Sequence, residues 1–293
     1  MRISGKGDLN TGTVVSQVAL WPRRAKVLLD TQPSMIVSTH GSWYHAALAS
    51  GIIIPLYVYP GTSCSGWPSL SAVIAEYASL PFYIIVNPAS GPGGAGTQPD
   101  STYQECIPTL KASNVKIIGY VLTGYGGRDQ ADVTTDIDTY AGWASSYQPD
   151  GIFFDEVSGA TADFSTYSTY TSYAKQLFDS GGGFTTLNPG ISPSDLDYFT
   201  IADLIVTAEQ YYSDFDASDL SFNSSAPASK QAVILHDAPS TPPTALIDQL
   251  ITTDQLKAIY ITDDTQANNG NPYDSLPSDL SSFVNAVESA ASA

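Results

Sequence analysis

The sequence predicts an α/β chain folded as one (β/α)8 barrel of the TIM type. Three observations lead there. Short apolar runs recur eight times after residue 50, segments of helical character separate them, and 293 residues is a length that a one-domain barrel with an extension accommodates. The runs are apolar at nearly every position rather than at alternate ones. Strands of that kind are buried on both faces, as a parallel sheet covered by helices requires.

The eight strands are expected at 52–59, 82–87, 115–121, 151–157, 184–188, 204–209, 232–236 and 258–262. Helical segments are expected at 67–79, 101–113, 131–146, 163–180, 192–200, 243–253 and 275–290, while 211–229 is polar and loop-like. A doubly wound open sheet would need fewer strands and often carries a glycine-rich nucleotide turn after the first. Tyr59-Pro60-Gly61-Thr62 is no such turn. Gly91-Pro92-Gly93-Gly94-Ala95-Gly96 opens no helix and lacks the Lys-Ser/Thr pair of a phosphate loop. The expected division is an irregular, poorly ordered N-terminal extension over 1–50 and the barrel over 51–293. The extension shows neither helical period nor strand alternation, and its basic cluster at Arg23, Arg24 and Lys26 precedes no long apolar stretch of the kind a signal peptide needs.

Eleven Lys and Arg stand against 29 Asp and Glu, a net charge of −18 that repels any polyphosphate backbone and excludes nucleic acid as a partner. No apolar run approaches the length of an integral membrane span. Two cysteines, Cys64 and Cys106, allow free thiols or one bridge, and the bridge is favoured because both fall in neighbouring loop and helix positions of the expected barrel. Three histidines are too few for a metal triad or a Ser-His-Asp arrangement beside the other assignments, so no metal and no cofactor are expected.

In such a barrel the chemistry sits at the carboxyl ends of the strands. Those ends carry Tyr59, Asn87, Tyr125, Asp155 with Glu156, Asn188, Glu209, His236 and Asp263. Turn chemistry also enriches Asn and Asp after strands, so rim position alone makes no site. Asp150-Gly151-Ile152-Phe153-Phe154-Asp155-Glu156 is sharper: an apolar strand runs straight into two carboxylates. Successive strand side chains face opposite sides, so both reach the mouth only if the backbone bends there. A helix cap or an ion pair is the plain alternative, but cations are too scarce to absorb most of the acids. Glu209 ends a strand two positions further round. One protonated carboxyl and one ionised carboxylate facing it are what glycosidic cleavage requires, which makes Asp155, Glu156 and Glu209 the catalytic candidates. Tyr59, Tyr125 and Tyr211 offer flat apolar faces to a sugar, and Asn87, Asn188, His236 and Asp263 offer polar atoms to its hydroxyls.

Residues 51 to about 290 resemble the spherulin-4-like proteins, classed as glycoside hydrolase family 135. The resemblance rests on four motifs in order: Pro55-Leu56-Tyr57-Val58-Tyr59-Pro60, Val86-Asn87-Pro88-Ala89-Ser90-Gly91-Pro92-Gly93, Gly119-Tyr120-Val121-Leu122-Thr123-Gly124-Tyr125-Gly126-Gly127-Arg128, and Asp150 to Glu156. It implies a (β/α)8 barrel that cleaves α-1,4-linked N-acetylgalactosamine inside galactosaminogalactan, a fungal exopolysaccharide, with the acids at Asp155, Glu156 and Glu209. It also implies a monomer whose partner is that polysaccharide, secreted or at the cell surface. The front of the chain departs from the family, whose members usually begin with an export signal or an anchor. A wall or spore-coat protein that binds polysaccharide without cutting it is the non-enzymatic alternative. A further alternative is the barrel glycosidase type that cuts the deacetylated polymer.

Overall fold

The computed structural model describes residues 48–178, 182–267 and 270–293. The expectation for the first fifty residues lies almost wholly outside them. The last three, Leu48 to Ser50, rest on the barrel: the Leu48 amide donates to the Ser79 carbonyl at 2.9 Å and the Ser50 hydroxyl to the Leu256 carbonyl at 2.7 Å.

Eight strands close in chain order into a parallel barrel. They are β1 (Gly51–Leu56), β2 (Phe82–Val86), β3 (Val115–Leu122), β4 (Gly151–Asp155), β5 (Phe184–Leu187), β6 (Leu204–Tyr211), β7 (Gln231–His236) and β8 (Ala258–Ile261). Pairing of Gly51 with Ala258 and Ile52 with Ile259 seals the ring. Their residues are buried almost throughout, which is why the sequence reads as unbroken apolar runs. Each Ile or Leu so placed stabilises the fold by about 1.5–3 kcal/mol relative to its exposed state.

The helices between them are α1 (Pro68–Glu76), α2 (Ser101–Leu110), α3 (Gln130–Ala141), α4 (Phe164–Leu177), α5 (Tyr198–Ile201), α6 (Thr244–Asp248) and α7 (Leu280–Ala291). Most are shorter than expected, and two begin five or more residues late. The segment at 192–200 keeps only the turn of α5, and α7 begins at Leu280, where the Asp279 carboxylate accepts from the Ser282 amide. The polar 211–229 segment holds short 3-10 turns and no longer helix.

The Asp150-Gly151 pair explains half of its motif structurally. The Asp150 carboxylate accepts from the Ile117 amide at 2.7 Å, and a Cβ on Gly151 would lie 1.9 Å from the Phe184 carbonyl. Both features seat β4 tightly between β3 and β5. Cys64 and Cys106 form a disulfide, joining the turn after β1 to α2 on the same side of the barrel as the strand ends.

Candidate active site

Asp155 closes β4, and the next residue leaves the strand: Glu156 has φ +50°, in the left-handed region that non-glycine residues rarely occupy. That bend turns both carboxylates toward one cleft of about 560 Å³ at the carboxyl ends of the strands. Thr123, just past β3, holds it. The Thr123 hydroxyl lies 2.8 Å from the carbonyls of both Asp155 and Glu156, and 2.9 Å from the Tyr167 hydroxyl of α4. A hydroxyl facing two acceptors spends its proton on them, so Tyr167 donates to it. Across the bend Tyr125, also left-handed at φ +54°, donates its amide to the Glu156 carbonyl at 2.6 Å. Two strained residues are therefore tied to each other at the rim.

Glu209 is delivered from β6. The strand carries a register shift between Val206 and Ala208 and continues past Glu209 to Tyr211. The loop after β5 folds back along it: Ile191 bridges Ala208 antiparallel, and the Glu209 amide donates to the Gly190 carbonyl at 2.9 Å. That return places Asn188 between the acids. Its Nδ2 donates to Asp155 Oδ1 at 2.7 Å and to Glu209 Oε2 at 2.5 Å, while its Oδ1 accepts from the Gly190 amide at 3.0 Å, which fixes the orientation of the amide. The three acids come from distant parts of the chain and line a single opening.

A layer of tyrosines surrounds them. The Tyr273 hydroxyl donates to Glu209 Oε1 at 2.6 Å, and the Tyr120 hydroxyl faces Asp155 and favours its charged form. Burial raises the Asp155 pKa against the hydrogen bonds of Tyr120, the Glu156 backbone and Asn188. Glu209 is raised too, first by burial and then by the charge of Asp155, with Tyr273, Asn188 and His236 pulling the other way. Burial thus favours the protonated form of both acids, and the charge of Asp155 adds to it at Glu209.

Of the residues expected to bind substrate, Tyr125, Asn188 and His236 line the cleft with the three acids. His236 Nδ1 pairs with Asp237 at 2.7 Å, and Tyr211 packs edge-on against its ring, 4.6 Å between centroids, without itself lining the cleft. Three others lie outside it and are engaged locally. The Tyr59 hydroxyl donates toward Thr102 at 3.0 Å, Asn87 accepts from the Gly91 amide at 2.8 Å, and Asp263 accepts from Ser278. Burial pushes Asp263 up, but the Ser278 hydroxyl and amide outweigh it and leave the pKa lowered. Tyr273 and Gln266, from the long segment after β8, enter the cleft without having been singled out in the sequence. Among the described residues no group of three His, Cys, Asp or Glu is placed to hold a metal ion.

A closed (β/α)8 barrel with an acid-lined cleft at the carboxyl ends of its strands defines the class. The chain belongs to Spherulation-specific family 4, whose profile matches residues 51–287. It is 33% identical over 244 residues to Spherulin-4 of Physarum polycephalum, covering 80% of this chain and 69% of that protein. Among solved structures it is similar to Aspergillus clavatus Sph3 in complex with GalNAc. The TM-score is 0.72 and the identity 27%, over 83% of this chain and all of the other.

Proposed function

We propose that the chain is an endo-acting glycoside hydrolase that cleaves α-1,4-linked N-acetylgalactosamine within galactosaminogalactan-type exopolysaccharide, as a secreted or cell-surface monomer. The observation that carries the reading is the Asn188 bridge, which sets two buried carboxyls on either side of one amide in an open cleft. The similarity to Sph3 bound to GalNAc supports the choice of sugar, and the disulfide suits an oxidising location.

The chemistry follows from position. In an α-linked galactosaminide the 2-acetamido group is cis to the leaving oxygen and cannot attack its own anomeric carbon from behind, so a protein carboxylate must act. Bonds of 2.7 and 2.5 Å through one nitrogen bring the facing oxygens of Asp155 and Glu209 close together. That supports a retaining pair, whose carboxyls stand roughly 5–5.5 Å apart, over the wider spacing of an inverting one. Asp155 attacks the anomeric carbon while Glu209 gives its proton to the departing oxygen, leaving a glycosyl ester. Glu209, now ionised, takes a proton from water as that water attacks the same carbon and releases Asp155. Glu156 orients the sugar through its hydroxyls.

The test is release of reducing ends from purified galactosaminogalactan. Wild-type protein should release them, and Asp155→Asn and Glu209→Gln should each lose at least about 10²-fold in rate while still binding polymer. Wild-type binding without release would make the chain a wall lectin, and preference for the fully deacetylated polymer would change the substrate.

A further inference from the structure

Tyr57 differs from the other tyrosines of the cleft. It stands one residue beyond β1, its ring held edge-on by Tyr120 and by Tyr273 at 5.7 Å each, and its amide donates to the Tyr273 carbonyl at 3.2 Å. Those contacts fix the plane of the ring and hence the direction of its hydroxyl. The Tyr273 hydroxyl is spent on Glu209, and that of Tyr120 is turned to Asp155, whose charged form it favours. The Tyr57 hydroxyl has no hydrogen-bond partner among the described residues, although it lines the cleft beside both acids. Burial first, and then the charges of Asp155 and Glu209, push its pKa well above the ordinary value, so it remains a donor.

A polar group preorganised in this way is completed by what enters the cleft. The cleft is poor in free donors, since Asp155 and Glu156 draw the hydroxyl protons of a sugar, the Glu209 proton goes to the departing oxygen, and both N–H bonds of the Asn188 amide are already used. Oxygens that only accept need a donor placed among these acids. We infer that Tyr57 is a specificity-determining residue whose hydroxyl donates to an acceptor-only oxygen, the acetamido carbonyl or the ring oxygen, of the sugar unit held between Asp155 and Glu209. The inference rests on the sugar-cleaving reading of the same cleft.

Tyr57→Phe removes one oxygen atom and leaves the ring packing in place. Titration of wild type and variant with N-acetylgalactosamine and with galactose, beside their rates of reducing-end release, decides the matter. The variant should bind N-acetylgalactosamine roughly three- to tenfold more weakly. Its kcat/KM on the polymer should fall on the order of 10- to 100-fold, with thermal midpoint and both limbs of the pH profile unchanged. Weakening confined to N-acetylgalactosamine assigns the acetamido carbonyl, and equal weakening for both sugars assigns the ring oxygen. Unaltered binding and kcat/KM would overturn the inference and leave the hydrolase standing, as would a lowered midpoint with unaltered binding. A wild type that binds sugar without cleaving polymer would defeat the hydrolase alone, because the binding comparison still decides Tyr57. A wild type that binds neither sugar would overturn both.

Discussion

Burial raises the pKa of both Asp155 and Glu209, and single hydroxyls decide how far. The Tyr273 bond lowers the pKa of Glu209, and the Tyr120 bond lowers that of Asp155, each opposing burial. Tyr273→Phe should therefore move the basic limb of the kcat/KM profile to higher pH, because the acid keeps its proton longer. Tyr120→Phe should move the acidic limb to higher pH, because Asp155, the proposed nucleophile, ionises later; pH profiles of the two variants read both shifts. The same raised pKa values carry a stability cost. A carboxyl whose pKa is higher folded than unfolded contributes stability below its unfolded value, near 4.5 for Glu209, and loses it as pH rises through the folded value. Glu209→Gln should accordingly melt above wild type at neutral pH, with the gain vanishing below about pH 4 in thermal scans. The acids were legible in the sequence because each ends an apolar run. The tyrosines around them were less so: at their strand ends Tyr57 and Tyr120 read as well as core residues as aromatics of a cleft, and Tyr273 lies in a segment after β8 with no period to place it.

At the scale of elements, the cleft depends on how two strand ends are bent. Thr123 stands at the end of β3 and binds the two carbonyls that flank the bend after β4. Thr123→Val keeps the shape of the side chain but removes its hydrogen bonds, leaving each carbonyl with a backbone amide alone and the Tyr167 hydroxyl without its acceptor. It should destabilise the protein by about 1–3 kcal/mol in denaturant unfolding. It should also lower kcat more than it raises KM, since Asp155 and Glu156 would lose their shared aim. The bend was anticipated from the adjacency of two acids at a strand end, whereas its anchor was not, because a threonine between β3 and a glycine-rich turn carries no local signal of a partner 32 residues away. Strand positions were readable throughout, since burial on both faces leaves an unbroken apolar run. Glu209 was placed at the end of its strand, but β6 runs on to Tyr211, because the returning loop after β5 adds pairing that a polar stretch of sequence does not announce. The helices were less readable at 192–200 and 275–280, where turn residues and tertiary contacts rather than period set the ends.

The whole molecule sets the electrostatic background of the cleft. Beyond residue 50 only six basic residues face 27 acidic ones, a net of −21. The structure shows several of those cations already engaged away from the cleft. Arg128 pairs with Asp136 at 2.6 Å and Lys175 with Asp203, while Lys111, Lys230 and Lys257 donate to backbone carbonyls. No Lys or Arg is among the described residues lining the cleft, so nothing basic of that kind offsets the negative potential of its acids. Galactosamine units that have lost their acetyl groups carry ammonium charges, so a partly deacetylated stretch should be drawn in electrostatically while a fully acetylated one is not. Salt screens that attraction within a Debye length of about 8–10 Å at 0.1–0.15 M ionic strength. Raising the salt from about 0.01 M to 0.3 M should thus raise KM several-fold for partly deacetylated polymer and leave it nearly constant for the fully acetylated one, with kcat little changed in both. Equal salt dependence for the two polymers, measured by reducing-end release, would mean that the acidity of the barrel serves solubility and plays no part in gathering substrate.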